Sequence, residues 1–511
     1  MSPSTTAGHL DSDAAQLAAL GYESEFKRDM SVWANFSLGF TYLSPVVAIY
    51  TMFAFGLATA GPPMVWSLVI AGFGQLLVAL VFSEVVAQFP VAGGVYPWAR
   101  RLWGRRFAWL TGWIYMWALF VTIASVASGA GPYIASLFDF EATVNTVILC
   151  SLGILALATV INYMGTRVLA MAAIIGFIAE LTGAIVVGVW LIVTERHHNL
   201  GILFDNFGAG DGSNYLWAFA AAALVGIYNY YGFEACGDVA EEVRDPGRII
   251  PKAMRRTIYV GGAAATFVAV ALALSVADIP AVISGENPDP VSGVLTEAFG
   301  TVGAKGILVI VLLSFLSCTI SLQAAAGRLS YSYGRDDMIV GSRWLRRFSQ
   351  KRHVPPYALL IAGLVPAAVI LLSKFSEDAL TKIVSFASFG IYLGFQMVVF
   401  AALRARLKGW QPSGKYRLGK WGLPVNIAAL AYGVTAMVTL AWPRTPEVPW
   451  YDNYIVLLSS AVVVGTGLLY MAVHRAYGRS DAPYDDAIPK PGGAARGAAR
   501  TTVGAQERSG V

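Results

Sequence analysis

Apolar runs long enough to cross a bilayer, about 20 residues each, recur twelve times along the chain. Their approximate limits are residues 32–58, 64–88, 106–130, 143–163, 168–194, 214–240, 257–277, 303–331, 356–373, 380–403, 422–442 and 453–474. Polar and charged residues gather between the runs, so the pattern predicts an all-α polytopic membrane protein with twelve transmembrane helices. Two runs are interrupted. The first breaks at Phe40-Thr41-Tyr42-Leu43-Ser44-Pro45-Val46-Val47-Ala48, where Pro45 removes a backbone donor and crowds the preceding turn. The sixth breaks at Tyr228-Asn229-Tyr230-Tyr231-Gly232 and restarts at Phe233-Glu234. It runs on through Asp238, Glu241 and Glu242 into the basic turn Arg244-Asp245-Pro246-Gly247-Arg248.

The first run opens a set of five and the sixth opens the next five. Five is odd, so a second set would lie inverted in the membrane. Interruptions at matching places in two halves point to an inverted repeat with its binding site near the bilayer midplane. No residue-level repeat is visible, and the 5+5 reading rests on the two breaks. The expected division is an N-terminal tail (1–30), a twelve-helix domain (31–475) and a C-terminal tail (476–511). Within the domain, the repeats cover about 31–194 and 214–403, and the last two helices about 422–475. Both tails are small and polar, a composition that reads as disordered.

Composition agrees with a membrane protein: 56% of the 511 residues are hydrophobic and 13% charged, with a mean hydropathy of +0.60. A soluble domain is nearer one quarter charged. The net charge of +5 does not imply nucleic acid, because the basic residues sit in short loops. Assigning the N-terminus to the cytoplasm puts all but five of the 36 lysines and arginines on that side, the exceptions being Arg196, Lys305, Lys374, Lys382 and Arg444. This asymmetry predicts cytoplasmic termini and a multi-pass protein of the cell membrane. Cys150, Cys236 and Cys318 lie inside apolar runs and suggest neither disulfides nor a metal cluster. The five histidines show no metal-binding spacing, so no metal or other cofactor is expected. The polar start has no apolar core of a signal peptide.

The candidate chemistry sits at the breaks. Beyond Ser44-Pro45 a new helix start offers free amides near Val46, Val47 and Ala48, which favour an anion. The half-helix ending near Tyr228 and Asn229 offers free carbonyls, which favour a cation. Together the breaks describe a site for a small zwitterion, with Tyr231, Gly232 and Phe233 beside it. Pro45 also reads as a simple kink, and Gly232 as a close-packing glycine. Glu180 and Glu234 lie in mid-span, where a charged carboxyl without a partner is costly, so both are candidates for proton coupling or for structural hydrogen bonds. Glu84 is a candidate gate or structural pair near the end of the second run. Ser317 and Thr319, with Ser314 and Ser321, are candidates for a sodium site or for helix packing. Tyr115, Trp117, Tyr228, Tyr230 and Tyr231 are candidates for an aromatic wall around a cation.

These residues carry a resemblance. Phe89-Pro90-Val91-Ala92-Gly93-Gly94-Val95-Tyr96, Asn162-Tyr163-Met164-Gly165, Tyr231-Gly232-Phe233-Glu234 and Glu241 to Pro251 resemble the amino acid–polyamine–organocation permease superfamily. The nearest likeness is to the amino acid/choline branch, which includes GABA and choline permeases. Gly327-Arg328-Leu329-Ser330-Tyr331 and Gly334-Arg335-Asp336-Asp337 match more loosely. The resemblance implies the leucine-transporter fold and uptake of amino acids or related amines. Where many such permeases have a glycine-rich run, this chain has Ser44 to Ala48. Side chains there limit close backbone approach, which leaves room for a ω-amino acid or a choline-like amine.

The expected function is secondary active transport, proton-coupled, with exchange or sodium coupling as alternatives. A membrane enzyme would need a clustered catalytic set, a channel a repeated pore motif, and a nucleotide-driven pump a phosphate-binding loop; none is evident. A nutrient sensor on a transporter fold is a further alternative, although it would typically carry a large signalling tail.

Overall fold

The computed structural model describes residues 13–210, 214–375, 379–443 and 449–488. The expectations for the far ends of both tails and for Arg444 concern residues outside that set. Among the described residues every regular element is a helix, and the strand-like pairings are isolated bridges joining Met30 to Val243 and Ser349 to Val354.

Helix α1 is divided into α1a (Val32–Leu43) and α1b (Pro45–Ala60). Helices α2 (Val65–Gln88), α3 (Arg105–Leu137), α4 (Val144–Tyr163) and α5 (Thr166–Thr194) complete the first five. Helix α6 is divided into α6a (Tyr215–Asn229) and α6b (Ala235–Asp238). Helices α7 (Pro246–Ser275), α8 (Pro290–Arg335), α9 (Pro356–Leu372) and α10 (Ala379–Leu407) complete the second five. Helices α11 (Gly422–Ala441) and α12 (Ile455–His474) follow. Among the described residues, eleven helices are long and apolar enough to cross a membrane. The divided α6 supplies the twelfth span.

Adding five to each helix number maps the packing onto itself. Helix α3 packs along α10, and α8 along α5; α4 packs on α3, and α9 on α8; α4 meets α8, and α9 meets α3. The pairs α2–α7 and α3–α8 map onto themselves. This closure belongs to two equivalent five-helix units with opposite topology. The fold is therefore the leucine-transporter type, with helices 1 and 6 broken. Helix α3 is enclosed, with 83% of its apolar window buried, whereas 17% of α12 is buried. Helices α1, α3 and α8 are the most enclosed of the spans, and α12 is mostly exposed.

Local chemistry explains both breaks. Pro45 opens α1b and has no N–H to continue the α1a ladder. Ser44 adopts a left-handed conformation with φ of 42° and caps α1b, its hydroxyl accepting from Val47 N at 3.4 Å. Gly232 has φ of +109°, a region open mainly to glycine.

The described parts of the tails are packed rather than loose. All the basic loops lie on one side of the molecule, the basic face, and the tails lie against it. Leu17, Tyr22 and Phe26 are buried. Arg28 donates to Val243 O at 2.8 Å, and Met30 N to Glu242 O at 3.0 Å. Arg100, fully buried, binds Ser480 Oγ and Ala482 O, each at 2.7 Å. A few buried apolar anchors and charge-assisted bonds thus order segments whose average composition reads as solvated.

Candidate functional site

The two breaks touch. A Cβ placed on Gly232 would lie 2.5 Å from Leu43 N and 2.9 Å from Tyr42 C, so only a glycine lets these backbones meet. At the α1 break, the amides that open α1b are already served. Glu180, from the middle of α5, accepts from Ser44 Oγ at 2.6 Å and from Val46 N at 3.0 Å, both through Oε1. The anion position at this helix start is filled by the protein's own carboxyl. Glu180 is fully buried, and among the described residues its Oε2 has no hydrogen-bond partner.

At the α6 break, Glu234 folds back over the gap. Its Oε2 accepts from Gly232 N at 2.7 Å and its Oε1 from Tyr115 Oη at 2.9 Å. Tyr231 sits edge-on between Tyr42 and Tyr228, with ring centroids 6.3 and 5.6 Å away. The Tyr228 hydroxyl lies 3.3 Å from Ser125 Oγ. Asn229 is fully buried, and among the described residues neither atom of its amide has a partner. A buried amide without partners carries a cost of about 1–3 kcal/mol, one that a polar ligand would remove. The site therefore offers a carboxyl oxygen, an amide and three aromatic rings around the meeting point of two broken helices.

A sequence model of the amino acid permease family matches residues 30–466. The chain belongs to this family. The permease is 26% identical over 470 residues to amino-acid permease BAT1 of Arabidopsis thaliana, which spans 86% of this chain and 90% of the relative. It is 27% identical over 463 residues to the BAT1 homolog of Oryza sativa, with 85% and 88% covered. Among solved structures it is similar to a manganese transporter from Eremococcus coleocola, with a TM-score of 0.58 at 12% identity, covering 89% of this chain and 98% of that one. That likeness speaks to the fold alone.

Other residues singled out from the permease sequence divide by placement. Ser44, Val46, Tyr228, Asn229, Tyr231, Gly232, Glu180 and Glu234 meet around the breaks. Pro45, Val47 and Ala48 form the buried first turn of α1b. Phe233 turns away into an aromatic cluster with Phe82 and Phe395, at 5.8 and 5.4 Å. Tyr230 leaves the wall too, its hydroxyl lying against Gly72 of α2 and Gly262 of α7. Glu84 stands apart, paired with Arg406 and accepting from Leu418 N at 2.8 Å. It locks the ends of α2 and α10.

The hydroxyl protons of Ser317 and Thr319 on α8 go to carbonyls of their own helix. Ser317 donates to Ser314 O at 3.0 Å and Thr319 to Phe315 O at 2.7 Å. Cys318 Sγ donates to Tyr42 O at 3.3 Å, occupying a carbonyl at the end of α1a. Two features escaped the sequence reading as site residues. Tyr42 could have been flagged by its place two residues before Ser44-Pro45. Asp238 stood in view as one acid in a run of three. On the face opposite the basic one, Glu195, His197 and Glu297 also gather, with ligand atoms within 4.8 Å of one another and two of the three exposed.

Proposed function

We propose that this permease takes up a small amine-bearing solute across the cell membrane by alternating access, driven by protons. The favoured solute is a ω-amino acid or choline-like amine rather than an α-amino acid. The observation that carries this reading is Glu180 on the α1b amides. A substrate α-carboxylate would have to displace a buried, doubly hydrogen-bonded carboxyl. An amine instead finds the free Glu180 Oε2, Asn229 and the rings of Tyr42, Tyr228 and Tyr231. Glu180 and Glu234 supply carboxyls to carry protons. Sodium is the rival ion, because the Ser317 and Thr319 hydroxyls donate to Ser314 O and Phe315 O and keep their oxygen lone pairs. The basic face is assigned to the cytoplasm on its charge.

The test is uptake of labelled 4-aminobutyrate, choline and a panel of α-amino acids into proteoliposomes, with and without an acidic exterior. Accumulation of 4-aminobutyrate or choline that requires the pH gradient is expected. Accumulation that follows a sodium gradient instead, or that is confined to α-amino acids, would overturn the reading.

A further inference from the structure

Asp238 ends α6b, one helical turn beyond Glu234, with its N–H bonded to Glu234 O at 3.1 Å. It is fully buried, and among the described residues neither carboxyl oxygen has a hydrogen-bond partner. The chain is shaped around it. The turn after α2 passes Asp238 at Gly93 and Gly94, whose φ values are +89° and +46°. Gly93 N bonds Asp238 O at 3.0 Å, and a Cβ on Gly94 would fall 2.2 Å from Asp238 Oδ1. Two glycines thus leave room for a carboxyl that bonds to nothing around it.

The neighbours say what that carboxyl does. Within electrostatic reach of it are Glu234 and Cys236 on its own helix, Tyr42 from α1a, Tyr115 from α3 and Arg328 from α8. From α7 it is the apolar Met254 that reaches this turn. One of these neighbours is a cation. Arg328 binds Glu242 through Nε at 2.8 Å and Nη2 at 3.2 Å, and among the described residues its Nη1 has no partner. Two buried carboxylates one turn apart on a helix repel each other, so the pair avoids carrying two charges at once. Below Asp238 lie Glu241, Glu242 and the basic face.

We propose that Asp238 is the second carrier in a proton relay from Glu234 to the basic face. This rests on the proton-coupled reading above. In the relay a water entering between them carries the proton: the Glu234 O–H bond breaks, the water passes a proton on, and an Asp238 O–H bond forms, leaving Glu234 ionised. When the basic face opens, Asp238 gives the proton to water, and its carboxylate takes up the spare Arg328 donor. Arg328 is then shared between Asp238 and Glu242, which ties proton release to the contact between α8 and the segment after α6b.

The test uses the full chain in liposomes and two readouts. Infrared difference spectra across a pH jump, without added substrate, report protonated buried carboxyls. Asp238→Asn is expected to remove one protonated-carboxyl band, and Asp238→Glu to shift it. With labelled 4-aminobutyrate as probe, Asp238→Asn is expected to lose accumulation under an acidic exterior yet keep exchange at equal pH, and Asp238→Glu to regain accumulation. An unchanged set of bands in Asp238→Asn overturns the proposal, as does accumulation equal to the parent's. Loss of exchange in both variants makes Asp238 structural and overturns it as well. A parent that accumulates no probe under a pH gradient removes the proton-coupled reading and the relay together, whereas the other adverse outcomes remove Asp238 alone.

Discussion

Ser44 Oγ donates to Glu180 Oε1 at 2.6 Å, joining the break in α1 to the middle of α5 across 136 positions of sequence. The same oxygen takes the amide of Val46. One buried carboxyl therefore completes the cap of a half-helix and, among the described residues, leaves its other oxygen without a partner. Whether that oxygen carries a proton changes the charge at the centre of the molecule without undoing the cap.

Glu180→Gln separates those two tasks. A glutamine oxygen can still accept from Ser44 and Val46, so the helix start should survive. It cannot release a proton. The variant is expected to exchange substrate at equal pH and to lose accumulation on a pH gradient. Accumulation matching the parent's would make Glu180 structural and leave Glu234 as the acid to test.

Gly232 is where the two breaks meet. Gly232→Ala places a Cβ 2.5 Å from Leu43 N in a left-handed conformation, a strain on the order of 1–3 kcal/mol. Substrate affinity should fall sharply, and Gly232→Leu should abolish binding while the protein still inserts. Binding assays on detergent-purified variants check this, and unchanged affinity in Gly232→Leu would remove the site from α6.

Arg100 holds the C-terminal tail to the body. It pairs with Asp336 at 3.5 Å and donates to Ser480 Oγ and Ala482 O, each at 2.7 Å. Arg100→Ala leaves Asp336 buried without its cation, a loss on the order of 3–5 kcal/mol. A clear drop in thermal unfolding temperature in detergent is expected. Removing the exposed cation of Lys420 is the control and should leave that temperature unchanged.

Topology is testable by labelling single cysteines in intact cells. Cysteines at the exposed positions Arg248 and Lys252 should react only after permeabilisation, and cysteines at Arg196 and His197 without it. The opposite pattern would reverse the assignment of the basic face to the cytoplasm.

Spans and breaks were legible in the chain because their causes are local. A run of apolar residues must be long enough to cross lipid, Pro45 lacks a donor, and Gly232 alone tolerates its backbone angles. Even the five-helix repeat followed from counting spans between two breaks. Which side chains meet was decided by packing between distant segments. Hydropathy reads Phe233 and Tyr231 alike, yet helix rotation sends Phe233 into the cluster with Phe82 and Phe395 and leaves Tyr231 at the site. Glu84 and Glu180 are both acids within apolar runs. Depth and neighbours give Glu84 a guanidinium at the end of α2 and give Glu180 the start of α1b. The tails read as solvated because disorder is judged from average composition, whereas a few buried anchors such as Leu17, Tyr22 and Arg28 are enough to dock the first of them and Arg100 the second. Asp238 shows the difference most plainly: its isolation depends on a glycine turn some 144 residues earlier in the chain, at Gly94, and on Arg328 spending its other donors on Glu242, since burial and pairing are properties of the folded packing and not of the local sequence.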